Sequence, residues 1–256
     1  KIDSMQISKT QVGFLGFLEN IIRRNGVIYY FIRNIVIYFN IFEEDFKILT
    51  KYYKNKKINI IDVGASDGIS ANFFLKNLNV NKIYCYEPHK VFIKKLIKFK
   101  KNNTKIILKK FGISHKKSRN VIYYPTINFL GFNFPLLTYT FYEKLELLKQ
   151  IKLDFYNYKK IIITKAIISL QKFKTIKDKI HLIKIDVNGF ELEVVKGILD
   201  QIKKDKPLMV IENGEGLNKI NLLLKKYGYK KFYNKSSTLK PHINQKVLDI
   251  FFIPQN

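Results

Sequence analysis

Four carboxylates in this sequence each close a short apolar run: Asp62 in INIID, Glu87 in IYCYE, Asp186 in LIKID and Glu212 in LMVIE. A fifth, Asp67, stands in the turn GASDG between Gly64 and Gly68. Acids at strand ends are well placed for chemistry, because the crevice of an open α/β sheet lies outside the carboxyl ends of its strands. Glu87 comes 25 residues after Asp62, where an acid can accept hydrogen bonds from both hydroxyls of a ribose. Asp186 and Glu212 could take up a proton from a reacting hydroxyl or hold a hard cation through oxygen ligands. No further ligand pattern accompanies them, so no metal is expected.

The elements that must position these acids can be read around them. Ile58 to Val63 is an apolar run that stops at Gly64, and a helical pattern follows from Ile69 to Leu78. Strand, glycine turn and helix in that order open a doubly wound nucleotide-binding fold. Lys82 to Glu87 reads as the second strand. The turn also selects among nucleotides. A dinucleotide site needs glycines that bring backbone N–H groups to a pyrophosphate, yet Ala71 stands near the place of the third glycine. Asp62 and Asp67 would repel a pyrophosphate. S-adenosylmethionine carries a sulfonium and an ammonium group, and both suit a carboxylate-lined turn. Asp62, Gly64, Asp67, Gly68 and Glu87 are therefore the expected cofactor residues. Asp67 could instead merely cap the following helix.

Downstream, His89 to Asn102 is helical and Lys105 to Leu108 is a third strand. Gly112 follows it, where the backbone could read the edge of an adenine. Asn120 to Tyr142 contains no charged residue in a chain that is 26% charged. Its many aromatics, broken by Pro125, Gly131 and Pro135, read as an irregular insertion that covers the ligand crevice, makes an oligomer contact or fills core. Glu143 to Tyr158 is helical, and Lys160 to Ile168 returns as a strand. His181 to Val187 is the next core strand. After it, Asn188 and Glu191 have capping-box spacing ahead of a helix carrying Val194, Val195, Ile198, Leu199 and Ile202. Lys206 to Glu212 is a strand, Leu217 to Tyr227 a helix, and Tyr229 to Tyr233 and Val247 to Ile253 an antiparallel pair of strands.

The acceptor-side acids follow from that order. Asp62 lies beside the methionine part of the cofactor, which leaves Asp186 and Glu212 for the acceptor. Asp186 is favoured as general base, since its strand is expected next to the first one. Its other reading is a partner for the methionine ammonium group.

Bulk composition narrows the class. A chain of 256 residues suffices for one α/β domain with an appendage. Cys85 is the sole cysteine, so nothing argues for an oxidising compartment, and no charged-then-apolar leader is read at the start. A cytoplasmic location is expected. The net charge of +27 invites a nucleic-acid reading, but only four of the 47 basic residues are Arg: Arg23, Arg24, Arg33 and Arg119. Readers of base edges and phosphates lean on Arg, and Lys here crowds every segment, including the strands. A solvated Lys-rich surface is the expected outcome. Val12 to Arg24 has helical spacing with a stop at Asn25-Gly26. Val27 to Phe42 is short for a bilayer span and carries Arg33 in its middle. It reads as a helix packed on the domain or lying on a membrane surface.

Three segments, IIDVGASDGISANFFL, IYCYEPHKVFIKKL and LIKIDVNGFELEVVKG, together resemble the FkbM-type family of S-adenosylmethionine-dependent class I methyltransferases. The resemblance covers about Ile58 to Glu212, and the last segment is its most diagnostic part. It implies a Rossmann-like, mostly parallel seven-stranded sheet with a terminal antiparallel strand. It further implies bound S-adenosylmethionine and an O-methyl acceptor, often a sugar. Two departures stand out. Asn188 replaces the family's usual Glu, and Ser169-Leu170-Gln171 stands where Thr-Leu-Asp is common. Residues 1–54 are then a helical extension and 55–256 the methyltransferase domain, with the insertion at about 120–160. The expected partner is a saccharide or related small acceptor, with a homo-oligomer contact and a peripheral membrane contact as further options. An RNA methyltransferase and a non-catalytic cofactor-binding or membrane-surface protein are the alternatives.

Overall fold

The structure is a computed structural model that describes residues 46–129, 131–137, 139–155, 161–214 and 216–255. The helices expected before residue 45 lie outside the described residues. Two compact units divide the rest. The larger runs up to Val121, from Ile167 to Ile243 and from Leu248 onward; the smaller comprises Ile122–Ala166 and Asn244–Val247.

The larger unit is built on β1 (Ile58–Val63), β2 (Val80–Tyr86), β3 (Ile106–Lys109), β8 (Leu182–Ile185) and β9 (Leu208–Glu212), all parallel. Three antiparallel strands extend it: β12 (Asp249–Pro254), β10 (Tyr229–Lys235) and β11 (Thr238–Pro241). The order is β11-β10-β12-β9-β8-β1-β2-β3. The chain winds outward from β1 through β2 to β3, then resumes on the other side of β1 with β8 and β9. The reversal falls between β1 and β8, and a ligand crevice is expected at the carboxyl ends of that pair. All six residues of β1 are buried, which explains why its sequence is a continuous apolar run broken only by Asn59 and Asp62.

Helix α1 (Lys47–Tyr52) buries Ile48 and Leu49. Phe46 just before it packs on Phe73 and Phe74 of α2 (Ile69–Asn77). Helix α3 (Lys90–Lys101) buries Phe92 and Leu96. It is capped by the His89 side chain, which accepts from the Val91 amide at 3.3 Å.

Three sequence readings need correction. Among the described residues the main sheet has eight strands where seven were expected. The extra one, β11, pairs with β10 through a turn at Ser236 and Ser237, both at positive φ. A two-residue turn of that hand normally shows Asn-Gly, so Ser-Ser concealed it. The helix after Asn188 is two: α5 (Glu191–Gly197) and α6 (Leu199–Asp205). Gly197 packs so closely on the Ser114 backbone that a Cβ would lie 3.0 Å from it.

The third concerns the aromatic stretch, which is regular where irregularity was expected. The strands β5 (Ser118–Phe129), whose part from Ile122 belongs to the smaller unit, and β6 (Phe132–Pro135) form an antiparallel hairpin. Thr126 of β5 meets Thr164 of β7 (Ile161–Lys172) at 2.8 Å. Leu147 and Ile151 of α4 (Lys144–Asp154) pack with Leu136 and Phe155 against Tyr123, Ile127, Tyr139 and Phe141. The aromatics thus build a small core of their own.

Candidate active site

The turn after β1 is held on both sides. Gly64 and Ala65 donate their amides to the Tyr86 carbonyl at 3.0 and 3.2 Å. Ser66, at φ +50°, donates its amide to Glu87 Oε2 at 2.9 Å. The His89 amide donates to Glu87 Oε1 at 2.7 Å. One carboxylate therefore clasps the turn to the start of α3. Burial raises the Glu87 carboxyl to about 7, although both amides favour its charged form. Gly64 has φ +78°, and a Cβ there would overlap the Asp186 carbonyl oxygen. The β1 and β8 turns touch at this point, and only a residue without a side chain fits between them. Helix α2 has Gly68, at φ +93°, as its N-cap residue, immediately after Asp67. Asp67 Oδ2 lies 3.9 Å from Lys95 Nζ.

Across the sheet, register brings the remaining acids together. Asp62 is the partner of Lys184, and Lys184 of Val210. Side chains alternate along strands, so Asp186, two beyond Lys184, and Glu212, two beyond Val210, share one side with Asp62. Asp249 of β12 is opposite Glu212. In their midst Lys184 Nζ lies 3.2 Å from Asp186 Oδ2 and 3.6 Å from Asp62 Oδ1. Ser70 donates its hydroxyl to Asp62 Oδ2 at 2.6 Å. Asp62 is completely buried, the Lys184 side chain is 7% exposed and the Asp186 side chain 43% exposed. Asp186 is thus the member of this group most open to a ligand. Burial disfavours the charged form of Lys184, but Asp186 and Asp62 hold its ammonium well above the usual range.

Glu212 is pushed up to about 9 by burial, then by the charges of Asp186 and Glu191, and it hydrogen-bonds Asp186. A carboxyl raised on folding binds more protons folded than unfolded. Its contribution is complete below its unfolded value and is lost as pH climbs to about 9. The melting temperature should therefore fall between about pH 5 and 9, and Glu212→Gln should flatten that fall. A wild-type profile and a Glu212→Gln profile of equal slope in calorimetry would refute the assignment.

The sequence-predicted residues sort into places. Asp62, Gly64, Asp186 and Glu212 meet at the ends of β1, β8 and β9. Asp67, Gly68 and Glu87 lie along the turn and its clasp. Gly112 opens β4 (Gly112–Ser114) and pairs with Leu170. A Cβ there would lie 2.7 Å from the Leu170 side chain and 3.4 Å from Pro88, so packing accounts for this glycine. The capping box is not formed. Asn188 sits at φ +51°, and Glu191 reaches back to accept the Val187 and Gly189 amides at 3.2 and 3.0 Å.

Lys184, Ser70 and Asp249 carry the arrangement and were not singled out from sequence. The one available signal was a lysine inside the apolar run LIKI. Among the described residues, no group of three or more His, Cys, Asp or Glu is set to hold a metal. The donor set fits a cationic cofactor: acids line the turn, and its buried lysine is already committed to two of them.

The chain was compared with known proteins. The model of one family, the methyltransferase FkbM domain, matches residues 62–231. A methyltransferase FkbM from Methylobacillus flagellatus KT is similar in structure at 15% identity and TM-score 0.47, over 77% of this chain and 43% of that one. This chain therefore spans less than half of that protein. A ribosomal protein L11 methylase from Lactobacillus delbrueckii subsp. bulgaricus is similar at 11% identity and TM-score 0.42, over 81% and 75% of the two chains. TrmK of M. capricolum, in complex with S-adenosylhomocysteine, is similar at 12% identity and TM-score 0.38, over 83% and 67%. No curated protein matches.

Proposed function

The chain belongs to the methyltransferase FkbM domain family, and from that premise we propose that it methylates a hydroxyl of a saccharide or related small acceptor. S-adenosylmethionine is the methyl donor, and it supplies an electrophilic methyl group on a good leaving group. The remaining work falls to the protein: to align a hydroxyl and to take up its proton. The observation that carries this reading is Asp186, a carboxylate open to solvent beside the β1 turn and ion-paired to a buried lysine. As the hydroxyl oxygen forms its new bond to carbon, its proton passes to the Asp186 carboxylate. Asp62, Asp186 and Glu191 crowd the same end of the sheet, and their field disfavours a phosphate-bearing acceptor. That field, together with the scarcity of Arg, supports a small neutral acceptor over RNA.

Incubation with isotopically labelled S-adenosylmethionine and a panel of reducing sugars, glycosides and total RNA tests the reading. Label in a methyl ether supports it; label in RNA alone overturns it.

On the donor side, Glu87 accepts the ribose hydroxyls through the lone pairs left after its two amide bonds. Hydrogen bonds to a charged group contribute roughly 1.5–3 kcal/mol each. Glu87→Ala should accordingly weaken cofactor binding about tenfold to a thousandfold in calorimetric titration. Wild-type affinity in a folded Glu87→Ala protein would remove Glu87 from the site.

A further inference from the structure

Asp62 was expected to touch the cofactor, yet its side chain has no exposed surface. Its Oδ2 is taken by the Ser70 hydroxyl. Among the described residues its Oδ1 has no hydrogen-bond partner, and it lies 3.6 Å from Lys184 Nζ. The same ammonium continues to Asp186 Oδ2 at 3.2 Å. A continuous series of polar contacts thus runs from the first turn of α2, through β1 and β8, to the acid that is open to solvent. We propose that Asp62 and Lys184 are a positioning pair for Asp186: Asp62 anchors the lysine, and the lysine fixes the orientation of Asp186 as a proton acceptor. This rests on the reading of Asp186 as general base, and it reassigns Asp62 from ligand contact to support.

Two features make the support specific. Lysine is long and flexible, and a solvated one would not hold a carboxylate in one place. Here burial and the Asp62 anchor remove that freedom. The charges around Asp186 are also unevenly signed. Asp62 from β1, Glu212 from β9, Glu191 from α5 and Asp249 from β12 all bring negative charge or a carboxyl. Glu87 and the Cys85 thiol lie on the β2 side of Lys184. Lys184 is the cation that offsets this field.

The test is a pH profile of turnover alongside calorimetric binding of S-adenosylhomocysteine. Removing a cation within about 4 Å of a carboxylate shifts its titration upward by roughly one to three pH units. Lys184→Met should therefore move the acid limb of the profile to higher pH by about that much, with affinity kept within about threefold. Lys184→Gln preserves length and polarity and should do the same should the Met variant not fold. Asp62→Asn should move the limb the other way or leave it, again with affinity kept. The proposal is overturned if a folded Lys184 variant keeps the wild-type limb. It is equally overturned if Asp62→Asn lowers affinity tenfold or more, which would restore Asp62 as a ligand contact. Failure of both Lys184 variants to fold would assign the lysine to stability alone and also overturn it. A wild-type protein that neither binds S-adenosylhomocysteine nor transfers methyl defeats the functional reading instead, independently of these variants.

Discussion

Gly64→Ala should yield a protein that still folds at room temperature but is destabilised by at least about 3 kcal/mol. The turn holds φ +78° at this residue, and a new methyl group would overlap the backbone carbonyl of Asp186. An L side chain in the left-handed region costs about 1–2 kcal/mol. Overpacking typically adds about 1–3 kcal/mol, more where the obstacle is backbone. The obstacle here is the β8 turn, whose own amides are tied to Glu191. Relief would require the ends of β1 and β8 to part. A loss of at least about 3 kcal/mol is expected from a total of roughly 5–15 kcal/mol. Urea denaturation monitored by circular dichroism gives the answer. A Gly64→Ala midpoint within a few tenths molar of wild type would mean that the two turns do not meet as described.

Asp186→Asn should reduce turnover by about 10²–10⁴, the usual contribution of a general base, while leaving cofactor affinity nearly unchanged. Asparagine keeps the shape and cannot take the proton. The consequence for neighbouring groups is predictable: Glu212 loses the charge that helps keep it protonated, and Lys184 loses the nearer of these two carboxylate contacts but keeps Asp62. Stability should change little beside the change in rate. Single-turnover kinetics with saturating cofactor separates the effects. If affinity and rate fell together, Asp186 would be a binding residue, and the proton would leave through Glu212, His89 or water.

Much of this arrangement was legible because its elements obey local rules. The β1 strand announces itself by an apolar run stopped at glycine, and α3 by its apolar spacing after His89. The carboxyl-terminal acids followed from strand ends alone. What escaped notice depended on register or on unusual turns. Lys184 is indistinguishable by type in a chain so rich in lysine. Its position opposite Asp62 and two residues before Asp186 becomes meaningful only once β1 and β8 are paired. The aromatic stretch was misread because Pro125 and Pro135 argue against strands. Yet Pro135 ends β6, and Pro125 carries the carbonyl that receives the Leu136 amide at 2.8 Å. Ile198 continues the apolar spacing of the helix while breaking it, and no sequence rule separates those two facts. Glu191 looked like half of a capping box, but its carboxylate is used by the turn before it.

The position of β12 has a consequence for how the molecule is made. Residues 249–254 lie between β9 and β10, both of which leave the ribosome earlier. At a synthesis rate of about 5–20 residues per second, β9 waits on the order of seconds with an open edge. During that wait the newly made β10 is the nearest strand available to it. The two run in the same direction in the finished sheet, and the short connection from 212 to 229 contains the α7 helix (Leu217–Lys225), so a premature parallel pairing is sterically accessible. It would exclude Phe251 and Phe252, which are fully buried in the native protein. It would also leave Glu212 without Asp249 as its neighbour. Nascent chains stalled before residue 249 should therefore be the species that recruits chaperones.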